Sequence, residues 1–85
     1  MIKILLMKND LVLITELEEV GSELGEPDCK LVNPLEMKFN PDGDPVFSSW
    51  PSFTDQKELM ISSGEILTIV EPNSYQLKKY QELTA

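Results

Sequence analysis

The stretch Glu58 to Pro72, ELMISSGEILTIVEP, decides the fold, because it reads as two strand segments separated by little more than Ser62-Ser63-Gly64 and closed by a proline. In its second half, alternation sets Ile66 and Val70 on one face and Leu67 and Ile69 on the other. A strand that is apolar on both faces needs cover on both, which an open surface sheet does not give. The chain has 85 residues, a size at which a domain buries only about 60% of its unfolded surface and is marginal without further support. A second copy of the chain would supply both the missing cover and the missing stability.

Composition narrows the function classes. Fifteen carboxylates stand against seven lysines, the formal charge is −8, and there is no arginine. Proteins that bind polyanions normally present a basic field, since phosphate contacts release counterions and supply most of the non-specific affinity. Here Lys3, Lys8, Lys30, Lys38, Lys57, Lys78 and Lys79 are scattered, and only the last two are adjacent. Cys29 is the sole cysteine and histidine is absent, so neither an intrachain disulfide nor a Cys/His zinc site is expected. A reducing, cytoplasmic setting fits. The run Ile2 to Met7 is far shorter than the ~20 residues of a membrane span and is cut off by Lys8-Asn9-Asp10, so it reads as a strand and no membrane partner is expected. With no histidine, no arginine, no serine-centred nucleophile motif and no glycine-rich phosphate loop, the chain reads as a non-enzyme without cofactors.

Along the chain, strands are expected over about 2–7, 11–18, 29–39, 46–62 and 65–71, and a helix over about 73–83, all in one domain spanning 1–85. Asn9-Asp10 tolerates the positive φ of a hairpin turn. From Glu16 to Asp28 the sequence turns acidic and carries Gly21, Gly25 and Pro27, which indicates an exposed loop. In the third strand Cys29, Leu31, Leu35, Met37 and Phe39 share one face, with Pro34 marking a bend. Asn40-Pro41-Asp42-Gly43-Asp44-Pro45 is a turn. An EF-hand reading of its aspartates fails, because the twelfth loop position is Phe53 instead of glutamate. Pro51 kinks the fourth strand. Asn73 with Gln76 forms a capping box, and Leu77, Tyr80 and Leu83 or Thr84 follow at helical spacing, with Tyr75 and Tyr80 as anchors.

Several residues admit two readings. Ser62-Ser63-Gly64 is either a ligand loop or a tight turn chosen for its backbone. Trp50 and Phe53 either stack on bases or pack across a bend. Lys78 and Lys79 either touch phosphate or complement the dipole at a helix C-terminus. Cys29 reads as a small buried hydrophobe.

Leu31-Val32-Asn33-Pro34-Leu35, Trp50-Pro51-Ser52-Phe53, Ile61-Ser62-Ser63-Gly64-Glu65-Ile66-Leu67-Thr68-Ile69-Val70-Glu71-Pro72 and Leu77-Lys78-Lys79-Tyr80, taken in that order, resemble the Sm-like proteins of cyanophages and marine metagenomic sequences over roughly residues 28 to 83. The resemblance implies a mainly β fold: a small, five-stranded, strongly bent Sm-like (SH3-type) barrel with a short C-terminal helix. It further implies that the fourth strand pairs with the fifth strand of a neighbour to close a homo-oligomeric ring of roughly five to seven subunits. Leu59, Ile61, Leu67 and Ile69 would then form the interface. In such proteins two loops bind RNA at the inner rim. Ser62, Ser63 and Gly64 take the place of one of them, without its arginine, and Val20 to Asp28 (VGSELGEPD) takes the place of the other, without its Asp and Met-Asn motif. Lys30 joins Ser62, Ser63 and Gly64 as a candidate nucleic-acid contact. The function implied is a ring that binds single-stranded RNA or DNA in nucleic-acid processing. The alternative is a phage-related scaffold or protein-interaction ring without nucleic-acid binding.

Overall fold

The computed structural model describes residues 1–21 and 23–85. Six strands and a helix follow in the order β1 (Ile2–Met7), β2 (Val12–Glu19), β3 (Cys29–Lys38), β4 (Val46–Ser49), β5 (Glu58–Ile61), β6 (Ile66–Val70) and α1 (Ser74–Thr84), with a 3-10 turn at Ser63–Glu65 between the last two strands. The β1–β2 hairpin closes as its residues dictate. Asp10 takes φ 69°, and Asn9 Oδ1 accepts the Leu11 N–H at 3.2 Å.

All pairings are antiparallel. The sheet runs β4-β3-β2-β1-β6, and β5 also pairs with β3. β5 meets the first half of β3, from Cys29 opposite Ile61 to Val32 opposite Glu58, while β4 meets the second half, from Leu35 opposite Ser49 to Lys38 opposite Val46. The single fourth strand expected over 46–62 is therefore two strands. Between them the Trp50 N–H bonds to the Pro34 carbonyl at 3.2 Å and the Asn33 N–H to the Lys57 carbonyl at 2.7 Å, so the residues in between loop out of the ladder.

The expected strongly bent barrel of five strands is, within one chain, an open sheet of six. Among the described residues β5 pairs only with β3 and β6 only with β1, because the 3-10 turn between them carries the chain from one edge of the sheet to the other without forming a hairpin. The radius of gyration, 12.8 Å, slightly exceeds the ~12 Å of a compact chain of this length.

Two bulges decide which side chains share a face. Between the pairs Ile14–Leu35 and Glu16–Val32, β3 uses one residue more than β2, and Asn33 there adopts φ 52°. An extra residue exchanges the faces beyond it. Leu31 thus packs with Leu5, Met7 and Leu13, whereas Leu35 and Met37 pack with Ile4, Ile14 and Tyr80 on the opposite side. The expectation that Leu31, Leu35 and Met37 share one face is corrected by this bulge, and Phe39 lies exposed beyond the end of the strand. On β6, Thr68 pairs with Leu6 and Ile66 with Met7, which leaves Leu67 as an extra residue. Ile66 therefore shares a face with Ile69, opposite Leu5, while Val70 lies opposite Ile4 on the other face. The alternation read from the sequence had paired Ile66 with Val70.

The core is correspondingly two-sided. One cluster, around Leu5, Leu13 and Leu31, is built from strands alone; the other, around Ile4, Ile14 and Met37, is covered by α1. The helix begins in a complete capping box, with Asn73 Oδ1 accepting the Gln76 N–H at 2.8 Å and Gln76 Oε1 accepting the Asn73 N–H at 2.9 Å. Eleven residues are too few to hold a helix in water, so it depends on docking. Tyr80, 3% exposed, provides it. Its hydroxyl accepts the Glu16 N–H at 3.2 Å and lies 3.0 Å from the carbonyls of both Val32 and Asn33, so it bonds backbone groups beside the bulge. Thr15, buried beside it, places its hydroxyl 3.0 Å from the Val32 carbonyl. Tyr75 is half exposed and anchors nothing comparable.

Candidate functional site

The turn joining β5 to β6 is set by its own residues and by one carboxylate from elsewhere. The Ser62 hydroxyl accepts the Gly64 N–H at 3.3 Å and caps the 3-10 turn. Ser63 donates its N–H to Asp28 Oδ1 at 2.7 Å and its hydroxyl to Asp28 Oδ2 at 2.6 Å. The Ser63 hydroxyl, followed by its N–H, holds the Asp28 carboxyl below the usual carboxylate range. A Cβ added to Gly64 would lie 3.5 Å from Ser62 Oγ, an ordinary contact, so the turn does not require glycine there.

Lys30 pairs with two carboxylates outside this turn. Its ammonium lies 2.6 Å from Glu58 and 3.6 Å from Glu18, and the hydrogen bond to Glu58 is the chief reason its pKa rises. Of the four candidate nucleic-acid contacts, Ser62, Ser63 and Gly64 are contiguous and exposed, and Lys30 is engaged by two carboxylates. The group that meets the turn is Asp28, which the sequence reading did not single out. Only the register placing Cys29 opposite Ile61 brings residue 28 beside residue 63. The first-loop comparison over 20–28 includes Ser22, which lies outside the described residues.

The four interface candidates divide between two free edges. Leu59 and Ile61 are half-buried on β5, with Ile61 packed into the strand-only cluster. Leu67 and Ile69 lie on β6, 69% and 47% exposed, and the double cover expected for this strand is absent within one chain. Beside β6 runs a largely apolar groove of about 310 Å³, lined by Leu17, Cys29, Ile66, Leu67 and Ile69 together with the polar Glu19, Ser63 and Thr68. Cys29 is buried in its wall, and desolvation, reinforced by the Asp28 and Glu19 charges, pushes its thiol pKa up.

Trp50 packs half-buried against the strand-only cluster, whereas Phe53 is 84% exposed. Lys78 and Lys79 lie in mid-helix, because α1 continues to Thr84, so they do not cap its C-terminal dipole. Among the described residues no cluster of three His, Cys, Asp or Glu side chains could hold a metal, and no helix is long and apolar enough to cross a membrane.

The fold and site together define a small antiparallel β domain with an open sheet, two free edges and a capped C-terminal helix. The chain belongs to a family of unknown function (DUF6561), whose model matches residues 1–85. No curated protein matches it.

Proposed function

We propose that this chain is a non-enzymatic, Sm-like assembly module whose copies join edge to edge, β5 of one against β6 of the next, into a homo-oligomeric ring that serves as a scaffold for protein interaction. The observation that carries this reading is the pair of free edges, one of which bears exposed Leu67, Ile69 and Val70. An apolar, unpaired edge strand is an aggregation hazard unless something pairs with it. A β5 edge on the far side of the same sheet gives each copy one donor edge and one acceptor edge, the arrangement that a head-to-tail closed ring requires.

The turn favours the scaffold over nucleic-acid binding. Asp28 occupies both hydrogen-bond donors of Ser63, Glu58 and Glu18 neutralise Lys30, and the chain carries −8 overall. A phosphate arriving at this rim would meet carboxylates. Titration of labelled oligo-U and mixed-sequence DNA at about 50 mM salt, where electrostatic attraction is strong, tests the choice. The scaffold reading expects no saturable binding at tens of micromolar protein. Saturable binding that weakens as salt rises would favour the nucleic-acid ring instead.

A further inference from the structure

We infer that the groove beside β6 receives the Phe53 side chain of the neighbouring copy. This rests on the ring reading and assigns it a knob and a hole. Phe53 is among the most exposed large apolar side chains of the chain, yet its loop is not free. The Trp50–Pro34 and Lys57–Asn33 backbone bonds tie both ends of the loop to the middle of β3. Phe53 is therefore held out from the β4–β5 side of the sheet, the side opposite β6. The groove has the complementary character: about 310 Å³, walled by Leu17, Cys29, Ile66, Leu67 and Ile69. One aromatic ring buries about 150–250 Å² when seated in such a site.

Charge complementarity points the same way. Lys57 follows Phe53 on the knob and Glu19 lines the groove, and among the described residues neither forms an ion pair within its own chain. Knob and hole are different parts of one chain, so the contact can repeat head to tail around a ring.

Cysteine trapping tests this directly. In a Cys29→Ser background, Phe53→Cys and Leu67→Cys are made singly and together, then oxidised at a protein concentration where the wild type is assembled. The inference expects an intermolecular disulfide ladder for the double variant, a disulfide-linked dimer and nothing larger for a mixture of the two single variants, and no crosslink for either alone. Phe53→Ala, at an exposed position where folding is not at stake, should weaken association about thirtyfold, as loss of an aromatic anchor does. An assembled wild type with no ladder, or with Phe53→Ala associating normally, overturns the groove contact and leaves the ring standing. A disulfide-linked dimer from Phe53→Cys alone overturns it too, since two knobs would then be meeting. A monomeric wild type overturns the ring and this inference with it.

Discussion

Tyr80 closes a gap in the sheet with one oxygen. Beside the Asn33 bulge the tyrosine hydroxyl meets the Glu16 N–H and the Val32 and Asn33 carbonyls, sharing the Val32 carbonyl with the Thr15 hydroxyl. Tyr80→Phe keeps the ring and strips these bonds, so it should cost about 1–3 kcal/mol in urea unfolding, the usual consequence of leaving buried backbone groups unpaired. A loss below about 0.5 kcal/mol would mean that water replaces the hydroxyl without penalty. Asp28 offers a second test at this scale. Its folded pKa lies below the ordinary value of 3.8, so its contribution is complete above that value and is lost as pH falls through the folded pKa. Between about pH 6 and pH 3, Ser63→Ala should show a shallower loss of stability than the wild type, the two converging at the acid end. Parallel curves would show that the contact contributes nothing. The capping pair Asn73 and Gln76 and the anchor Tyr80 were legible from spacing alone, since caps and helical periodicity are local. Asp28 was not, because its partner lies 35 residues away and only strand register joins them.

At the scale of elements, the bulges were the hidden features. The extra residue at Asn33 has no compositional signature beyond an asparagine that tolerates left-handed backbone, yet it reassigned Leu35 and Met37 to the helix side, and the extra Leu67 on β6, with no signature at all, aligned Ile66 with Ile69. Deleting Asn33 should return Leu35 and Met37 to the wrong face and abolish cooperative unfolding, whereas Asn33→Gly, which accepts φ 52° freely, should change stability by less than about 1 kcal/mol. Thermal melts followed by circular dichroism separate the two; a deletion variant that still folds cooperatively would show that the faces are set otherwise. The break of the fourth strand was half legible, in that Pro51 marked its place but nothing local told of a loop fastened to β3 at both ends. On β6, the half exposure of Ile69 sharpens what a charge would do. Ile69→Lys should leave the monomer folded and abolish association, as lysine does on natural edge strands. An oligomer of unchanged size by light scattering would remove β6 from the seam.

For the whole molecule, the balance is between a small core and a large charge. Among the described residues nine buried apolar side chains form the core, a number small enough that association is a substantial source of stability. Each copy brings −8 to the assembly, and like charges oppose it. Raising salt from about 20 to 300 mM screens that repulsion without weakening apolar contacts, so association should tighten; a seam held by ion pairs would loosen instead. Charge and the strand content of this architecture were readable from composition and alternation, but openness was not, since whether β5 and β6 join each other or a neighbour depends on sheet curvature. The measurement that bears most directly on the central claim is the native mass of the wild-type protein at micromolar concentration, by sedimentation equilibrium or native mass spectrometry. The free edges predict one closed species of roughly five to seven copies, and a stable monomer of 9.6 kDa would contradict the account.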